Sequence, residues 1–176
     1  GYDRGFYYSP NSAYSTPGYK GGPQKEFSDM VESFHEAGIS VYLQLYFPSS
    51  VNSQQQIEIA RFYATHYGVD GFHLMGSVAD IKAFASDPML SDARLFHTDF
   101  PYAEIEGMDA ENPEAGPVNT GNLFTHNNRF STLIRRFCKS DDYVMREFLY
   151  EFFKVPSGYG NVHYICGSDG FTLRDL

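Results

Sequence analysis

The chain has 176 residues, which is enough for one domain that buries most of its apolar surface. Its formal net charge of -9 argues against a surface that binds nucleic acid or an anionic membrane, because both need clustered lysine and arginine. No apolar run approaches the roughly 18 residues of a membrane span, and the sequence given shows no secretory-signal pattern. The cellular location stays open, with the cytoplasm favoured.

The two cysteines, Cys138 and Cys166, are too few for a disulfide scaffold or a metal site, and we expect both to be buried free thiols. The six histidines show no ligand spacing such as H-E-x-x-H, so no metal site is predicted. Aromatic residues make up 17% of the chain. Such rings pack in cores and also stack against flat ligands or sugars, so the composition leaves both roles open.

The chain begins with an aromatic stretch rich in glycine and proline, residues 1–24, which predicts an ordered loop because exposed rings are costly. Hydrophobic patterns of helical and strand type then alternate. They predict helices over 25–37, 53–67 (capped by Ser53), 78–85, 129–139 and 143–153, and strands over 39–47, 69–75, 94–100 and 161–166. Residues 101–122 are rich in proline, glycine and acidic side chains and predict a long surface loop.

Four strands, each preceded by helical material, predict an α/β domain with a parallel sheet and crossover helices. On this pattern alone a doubly wound sheet and a (β/α)8 barrel both remain open. In either fold the chemistry lies where the strands end at their carboxyl side, which is where His73 and Met75 stand in the stretch G-V-D-G-F-H-L-M-G. The chain contains neither G-x-G-x-x-G nor G-x-x-x-x-G-K-[ST], so we expect no nucleotide and no other cofactor.

Five stretches of the chain resemble one known protein family, both in their sequences and in their order along the chain. They are GYDRGFYYSPNSAYST, EFSDMVESFHEAGISVYLQL, GVDGFHLMG, NNRFSTLIRRF and DGFTLRDL. Together they resemble the α-amylase superfamily of glycoside hydrolases, specifically its debranching group of isoamylases, pullulanases and glycogen-debranching enzymes.

The resemblance implies a (β/α)8 barrel of the TIM type that acts on α-glucans such as glycogen, starch or pullulan. It also implies that residues 1–176 form a partial catalytic-barrel domain, covering about the third to seventh strands of a barrel that typically has about 250 residues. The open sheet edges would then need to be covered, either by the missing barrel segments or by a second copy of the chain.

The same resemblance assigns the catalytic positions. Without a gap, the family's nucleophile falls on Met75; alternatively two residues of the motif are deleted here, and in either case no carboxylate remains. The family's acid falls on Thr98, and its transition-state stabiliser is retained as Asp169, which is otherwise explained as a turn or cap residue. Because retaining glycosidases need two carboxyl groups about 5 Å apart, Met75 and Thr98 predict that ordinary hydrolysis is lost. Asp99 could replace the acid only after a register shift, which would turn its side chain to the opposite face.

The substrate-binding candidates also come from the resemblance. His73 takes the place of a family arginine and Ser168 that of a family histidine. His73 is either a ligand contact or a packed core histidine. The remaining candidates, Tyr7, Tyr8 and Tyr14, form either a sugar platform or a set of rings that hold the loop against the barrel.

We therefore expect an α-glucan-related barrel that keeps glucan binding and lacks hydrolase activity. Its partner would be an α-glucan oligosaccharide or polysaccharide, with no nucleic acid and no membrane involved. Two alternatives remain, namely a non-enzymatic scaffold or interaction module and an active glycosidase that uses Asp99 and Asp169.

Overall fold

The computed structural model describes residues 6–76, 79–98, 100, 105, 120–154, 158–167 and 174. Within these residues the backbone forms a five-stranded sheet in which all strand pairs are parallel. The strands are β1 (Tyr42–Tyr46), β2 (Gly71–Met75), β3 (Arg94–His97), β4 (Leu123–His126) and β5 (Gly160–Val162). They lie side by side in the order in which they occur along the chain.

This sheet confirms the predicted α/β class. A doubly wound sheet reverses its strand order at a switch point, and the five described strands show no such reversal. The order is therefore compatible with part of a (β/α) barrel. β1 and β5 are the edges of the described sheet, and their covering by further barrel segments or by a second copy stays a prediction.

The sequence analysis misses β4, so its number of strands is wrong. Leu123–His126 has only four residues and directly follows the stretch that predicts a loop. Of that stretch, only residues 105 and 120–122 lie within the described part of the chain. β1, β2 and β3 lie inside their predicted segments, whereas β5 ends at Val162, which leaves Cys166 beyond the strand that was predicted to contain it.

The five predicted helices are all present, with ends that differ from the predictions by up to about three residues. They are α1 (Gly22–Glu36), α2 (Ser53–Tyr67), α3 (Ile81–Ser86), α4 (Asn128–Cys138) and α5 (Met145–Phe153). In the part of the chain that the structure describes, no helix is long and apolar enough to cross a bilayer.

The N-cap of α2 is Asn52 and not the predicted Ser53. The Asn52 side chain accepts a hydrogen bond from the backbone N–H of Gln55 at 2.9 Å, and the Gln55 side chain accepts one from the backbone N–H of Asn52 at 3.2 Å. This reciprocal pair is a capping box, which satisfies two amide groups that would otherwise lack partners. Asparagine caps as well as serine does, so sequence alone does not decide between the two neighbours.

One face of the sheet packs against the helices and forms the main core. The strand register aligns Leu43, Phe72, Leu95 and Leu123 in one row across four strands. The last three of these are fully buried, in one cluster with apolar side chains of α1, α2 and α3. Burying one such side chain contributes roughly 1.5–3 kcal/mol, so a register slip that exposed the row would be strongly disfavoured.

The opposite face of the sheet is only half-buried. Its central row consists of Gln44, His73, Phe96 and Phe124, again aligned by register. Because side chains alternate along a strand, Met75 lies on this same face two residues beyond His73. The side chains of this face therefore continue from the central row to the carboxyl ends of the strands.

A second, smaller core joins α4 to α5. It is formed by Phe130, Leu133, Val144 and Phe148. This packing holds the two helices beside the carboxyl ends of β4 and β5. Cys138, the last residue of α4, is exposed, so the expectation that both thiols are buried is wrong for it, and Cys166 is half-buried.

Candidate functional site

A cleft of about 470 Å³ lies at the carboxyl ends of β2 to β5. Side chains from the strand ends and from the segments that follow them line it: His73, Met75, His97, Thr98, His126, Asn128, Val162, Tyr164 and Cys166. In parallel sheets this edge is where ligands bind, because the strand ends and their loops converge there. The cleft is therefore the candidate functional site.

Histidine and tyrosine rings line the cleft and contact neighbouring aromatic rings of the half-buried sheet face. The rings of His73 and His126 are 4.4 Å apart between centroids and tilted by 54°. Phe96 stacks on Phe124 at 5.3 Å, and its ring is 6.1 Å from that of His126. The ring of Tyr164 is 5.6 Å from His126 on the other side. The rings of His73, His126 and Tyr164 line the cleft, and a flat or C–H-rich ligand face can pack against such rings.

The surroundings of His126 favour its neutral form. Burial in the cleft lowers its pKa from the usual value of 6.5, and the nearby His97 lowers it further through charge repulsion. A neutral imidazole donates from one ring nitrogen and accepts at the other. His126 therefore offers a ligand hydroxyl both kinds of hydrogen bond near pH 7.

Two hydrogen bonds orient the side chains of His97 and Tyr164 beside His126. The Nδ1 atom of His97 is 2.8 Å from the carbonyl oxygen of Leu74, and because a carbonyl only accepts, Nδ1 carries the proton in this bond. The Tyr164 hydroxyl donates to the Oδ1 atom of Asn128, the first residue of α4. Both side chains are thus oriented without a ligand being needed.

Three of the residues predicted from sequence come together in this cleft. His73, Met75 and Thr98 all line it. Register places His73 beside Gln44 of β1, and the Gln44 amide contacts the sulfur of Met75. Neither Met75 nor Thr98 carries a carboxyl group, and the described lining of the cleft contains no aspartate or glutamate.

The other predicted catalytic and binding positions cannot be placed. Asp99, Ser168 and Asp169 lie outside the described residues. Their roles, including the use of Asp99 and Asp169 as a catalytic pair, stay predictions.

The three candidate tyrosines of the first loop, Tyr7, Tyr8 and Tyr14, do not line the cleft. Tyr7 packs on Phe47 at 6.1 Å between ring centroids, and Tyr8 meets the ring of Phe62 edge-on at 5.2 Å. Tyr14 is 89% exposed and borders a separate groove between the loop and α1. The contacts of Tyr7 and Tyr8 fit rings that hold the loop against the domain. The expectation that this loop keeps its rings out of water is wrong for Phe6 and Tyr14, which are 82% and 89% exposed, and in part for Tyr8, which is 48% exposed.

No protein-family model and no curated protein sequence matches the chain. The resemblance to the α-amylase superfamily accordingly stays a prediction that rests on the ordered stretches quoted above.

Sequence reasoning missed the groups that β4 and β5 bring to the cleft, namely His126, Asn128 and Tyr164. The signal that could have revealed the first two is the run T-H-N-N, residues 125–128, in which polar side chains directly follow two apolar ones. Asn127 in this run caps α4 by accepting a hydrogen bond from the backbone N–H of Phe130 at 2.9 Å. A strand end followed by a helix cap marks a strand-to-helix junction of the kind that builds such sites.

The described residues contain no group of three or more histidine, cysteine, aspartate or glutamate side chains that could hold a metal ion.

Proposed function

We propose that the cleft binds a neutral oligosaccharide of the α-glucan class and does not hydrolyse it through a pair of carboxylates. The observation that carries the proposal is the lining of the cleft, which combines ring faces with uncharged hydrogen-bonding groups. Sugars match this combination, because their rings present C–H faces to aromatic side chains and their hydroxyls both donate and accept hydrogen bonds. The α-glucan class comes from the sequence resemblance.

The same lining argues against the usual hydrolysis. A retaining mechanism needs a nucleophilic carboxylate and a protonated carboxyl group about 5 Å apart. Met75 and Thr98 occupy the positions that the resemblance gives to these two groups, and both line the cleft. A thioether and a hydroxyl cannot replace a carboxylate nucleophile and a carboxylic acid.

The test is calorimetric titration with maltoheptaose and with a branched glucan, with reducing-sugar release followed on the same samples. We expect binding without release. His126→Ala and Tyr164→Ala should each weaken maltoheptaose binding by about tenfold, since each removes a ring and a hydrogen-bonding group from the cleft. Tyr14→Ala serves as the matched control, because it removes an aromatic ring that lies outside the cleft.

Each alternative function has its own outcome in this experiment. Release of reducing sugar that disappears in Asp169→Asn would overturn the proposal and support an active glycosidase. Absence of binding to every glucan would support a scaffold role. A loss of affinity in Tyr14→Ala but not in His126→Ala would move the sugar platform to the first loop.

A further inference from the structure

A second cavity, of about 420 Å³, adjoins the cleft, and we call it the chamber. Thr98, His126 and Asn128 line both, so the two spaces meet around these three side chains. Other residues line the chamber alone. They include Glu151 of α5, Lys154 directly after α5, and Asn161 of β5. The chamber therefore reaches from the strand ends to the α4–α5 pair.

Glu151 is the distinctive group of the chamber. Its side chain is only 5% exposed, although it carries a carboxylate. One carboxylate oxygen accepts a hydrogen bond from the Asn127 side-chain amide at 3.2 Å, and the other lies 3.5 Å from the Nε atom of Arg129. A carboxylate can accept about four hydrogen bonds, and a buried one is costly unless they are made. Within the described residues, Glu151 thus keeps acceptor capacity for a ligand that offers N–H or O–H groups.

The charges around the chamber select the kind of ligand. Arg129 pairs with the carboxylates of both Glu151 and Glu147, at 3.5 and 3.6 Å, and Lys154 adds a second positive charge. These charges offset one another, so neither an anion nor a cation gains a net attraction there. A neutral ligand needs no such attraction, and one with hydroxyl groups can donate to Glu151 while it accepts from Lys154 and from the amide of Asn161.

We propose that the chamber is a second binding site for a neutral polyhydroxylated unit, with Glu151 as the acceptor for its hydroxyl groups, and that an oligosaccharide in the cleft extends into it past His126. This inference rests on the proposed function and adds to it a minimum ligand length, because one sugar unit cannot fill both spaces. Glu151 acts here in binding and has no part in bond cleavage.

The test compares Glu151→Gln with Glu147→Gln by calorimetric titration. Glu147 is a matched control, because it lies one turn earlier on α5, also faces Arg129 at 3.6 Å, and is 56% exposed outside the chamber. We expect wild-type protein to bind maltoheptaose more tightly than maltose. Glu151→Gln should remove most of that gain and weaken maltoheptaose binding about tenfold, whereas Glu147→Gln should stay within about twofold of wild type.

Lys154→Met keeps the test decisive if Glu151→Gln does not fold, because Lys154 is exposed and its loss leaves the core intact. We expect it to weaken maltoheptaose binding about threefold by removing one donor.

Three outcomes would contradict the inference. Wild-type affinity in both chamber variants, together with a loss of affinity in His126→Ala, would show that the chamber is not a binding site and would leave the proposed function standing. Equal losses for maltose and maltoheptaose in Glu151→Gln would overturn the extension of the ligand. Absence of any saccharide binding by wild type would overturn the proposed function and this inference with it.

Discussion

The imidazole rings of His73 and His126 are 4.4 Å apart between centroids, although β3 lies between the strands that carry them. Neighbouring strands are separated by about 4.8 Å, so two strands with a third between them are roughly twice that distance apart. The two side chains must therefore lean toward each other over the half-buried face of the sheet. Such convergence is what a curved, twisted sheet produces on its concave side, and it explains why a cleft forms there.

The protonation of His126 should make the stability of the fold depend on pH. Its pKa is lowered in the folded protein, so the unfolded chain binds the proton more tightly between the folded pKa and 6.5. The free energy of unfolding should therefore fall as the pH drops from 6.5 through that window. The midpoint of thermal unfolding, measured from about pH 8 to about pH 5, checks this.

His126→Asn should flatten that part of the pH profile. His66→Asn is a suitable control, because His66 is exposed on α2. A pH profile that is unchanged in His126→Asn would contradict the assignment.

The ion pair between Arg61 and Asp87 should be costly to break. Asp87 is 6% exposed, accepts from the Nε atom of Arg61 at 3.1 Å, and also caps a short turn by accepting from the backbone N–H of Met89 at 3.0 Å. Asp87→Ala leaves the Met89 N–H without its partner and leaves Arg61, which is 39% exposed, to water, and it should lower the free energy of unfolding by about 2 kcal/mol.

Asp141→Ala is the control for that measurement. Asp141 also pairs with an arginine, Arg136 at 3.1 Å, but both side chains are well exposed. Its loss should cost less than about 1 kcal/mol. Urea unfolding of the two variants measures the difference, and equal losses would show that burial of Asp87 has no energetic effect.

Two glycines in the sheet should tolerate alanine unequally. A Cβ atom at Gly71 would lie 2.0 Å from the carbonyl oxygen of Arg94, which belongs to the backbone of β3 and cannot rotate away. A Cβ atom at Gly160 would lie 2.3 Å from the Phe124 ring, which can turn about its side-chain bonds. Gly71→Ala should cost about 3 kcal/mol and Gly160→Ala about 1 kcal/mol. Urea unfolding of both variants measures the two losses in the free energy of unfolding. A larger loss for Gly160→Ala than for Gly71→Ala would contradict this prediction.

The two thiols should differ in reactivity. Cys138 is exposed at the end of α4, whereas Cys166 is half-buried in the lining of the cleft. Access to the sulfur limits attack by a thiol reagent. We expect a fast and a slow phase with Ellman's reagent, and the fast phase should disappear in Cys138→Ser. A fast phase that survives in that variant would assign it to Cys166.

The parts of the fold with a long hydrophobic period were predictable from the sequence. The bounds of α2 are as predicted, because its apolar residues recur on one side and Gly68 ends it in the left-handed conformation that glycine favours. β4 was not predictable in this way. Four residues with two polar ones carry no period, and the pairing of Leu123 with Leu95 across the sheet decides their conformation.

Some residues of the candidate site were likewise predictable from the sequence, and others were not. His73 and Met75 were placed at a strand end from the position of the strand alone, and Thr98 joins them in the cleft. His126 was missed together with β4, the short strand that carries it, although polar residues follow that strand directly. Tyr164 was missed because its position depends on which strands are neighbours, and pairing between distant segments leaves no local pattern in the sequence. Glu151 was missed for a related reason. Helical spacing does not show that a charged residue of α5 will be buried against the cap of α4.

The side-by-side order of β1 to β5 has a consequence for how the domain is made. Every described strand pairs only with strands next to it in the chain, so each pairing closes a loop of modest length, and the entropy cost of closure stays small. During synthesis the sheet can therefore lengthen sideways by one strand at a time, each new segment docking on an edge that already exists. Among the described strands, each of β1 to β4 meets its next partner in the strand that follows it along the chain.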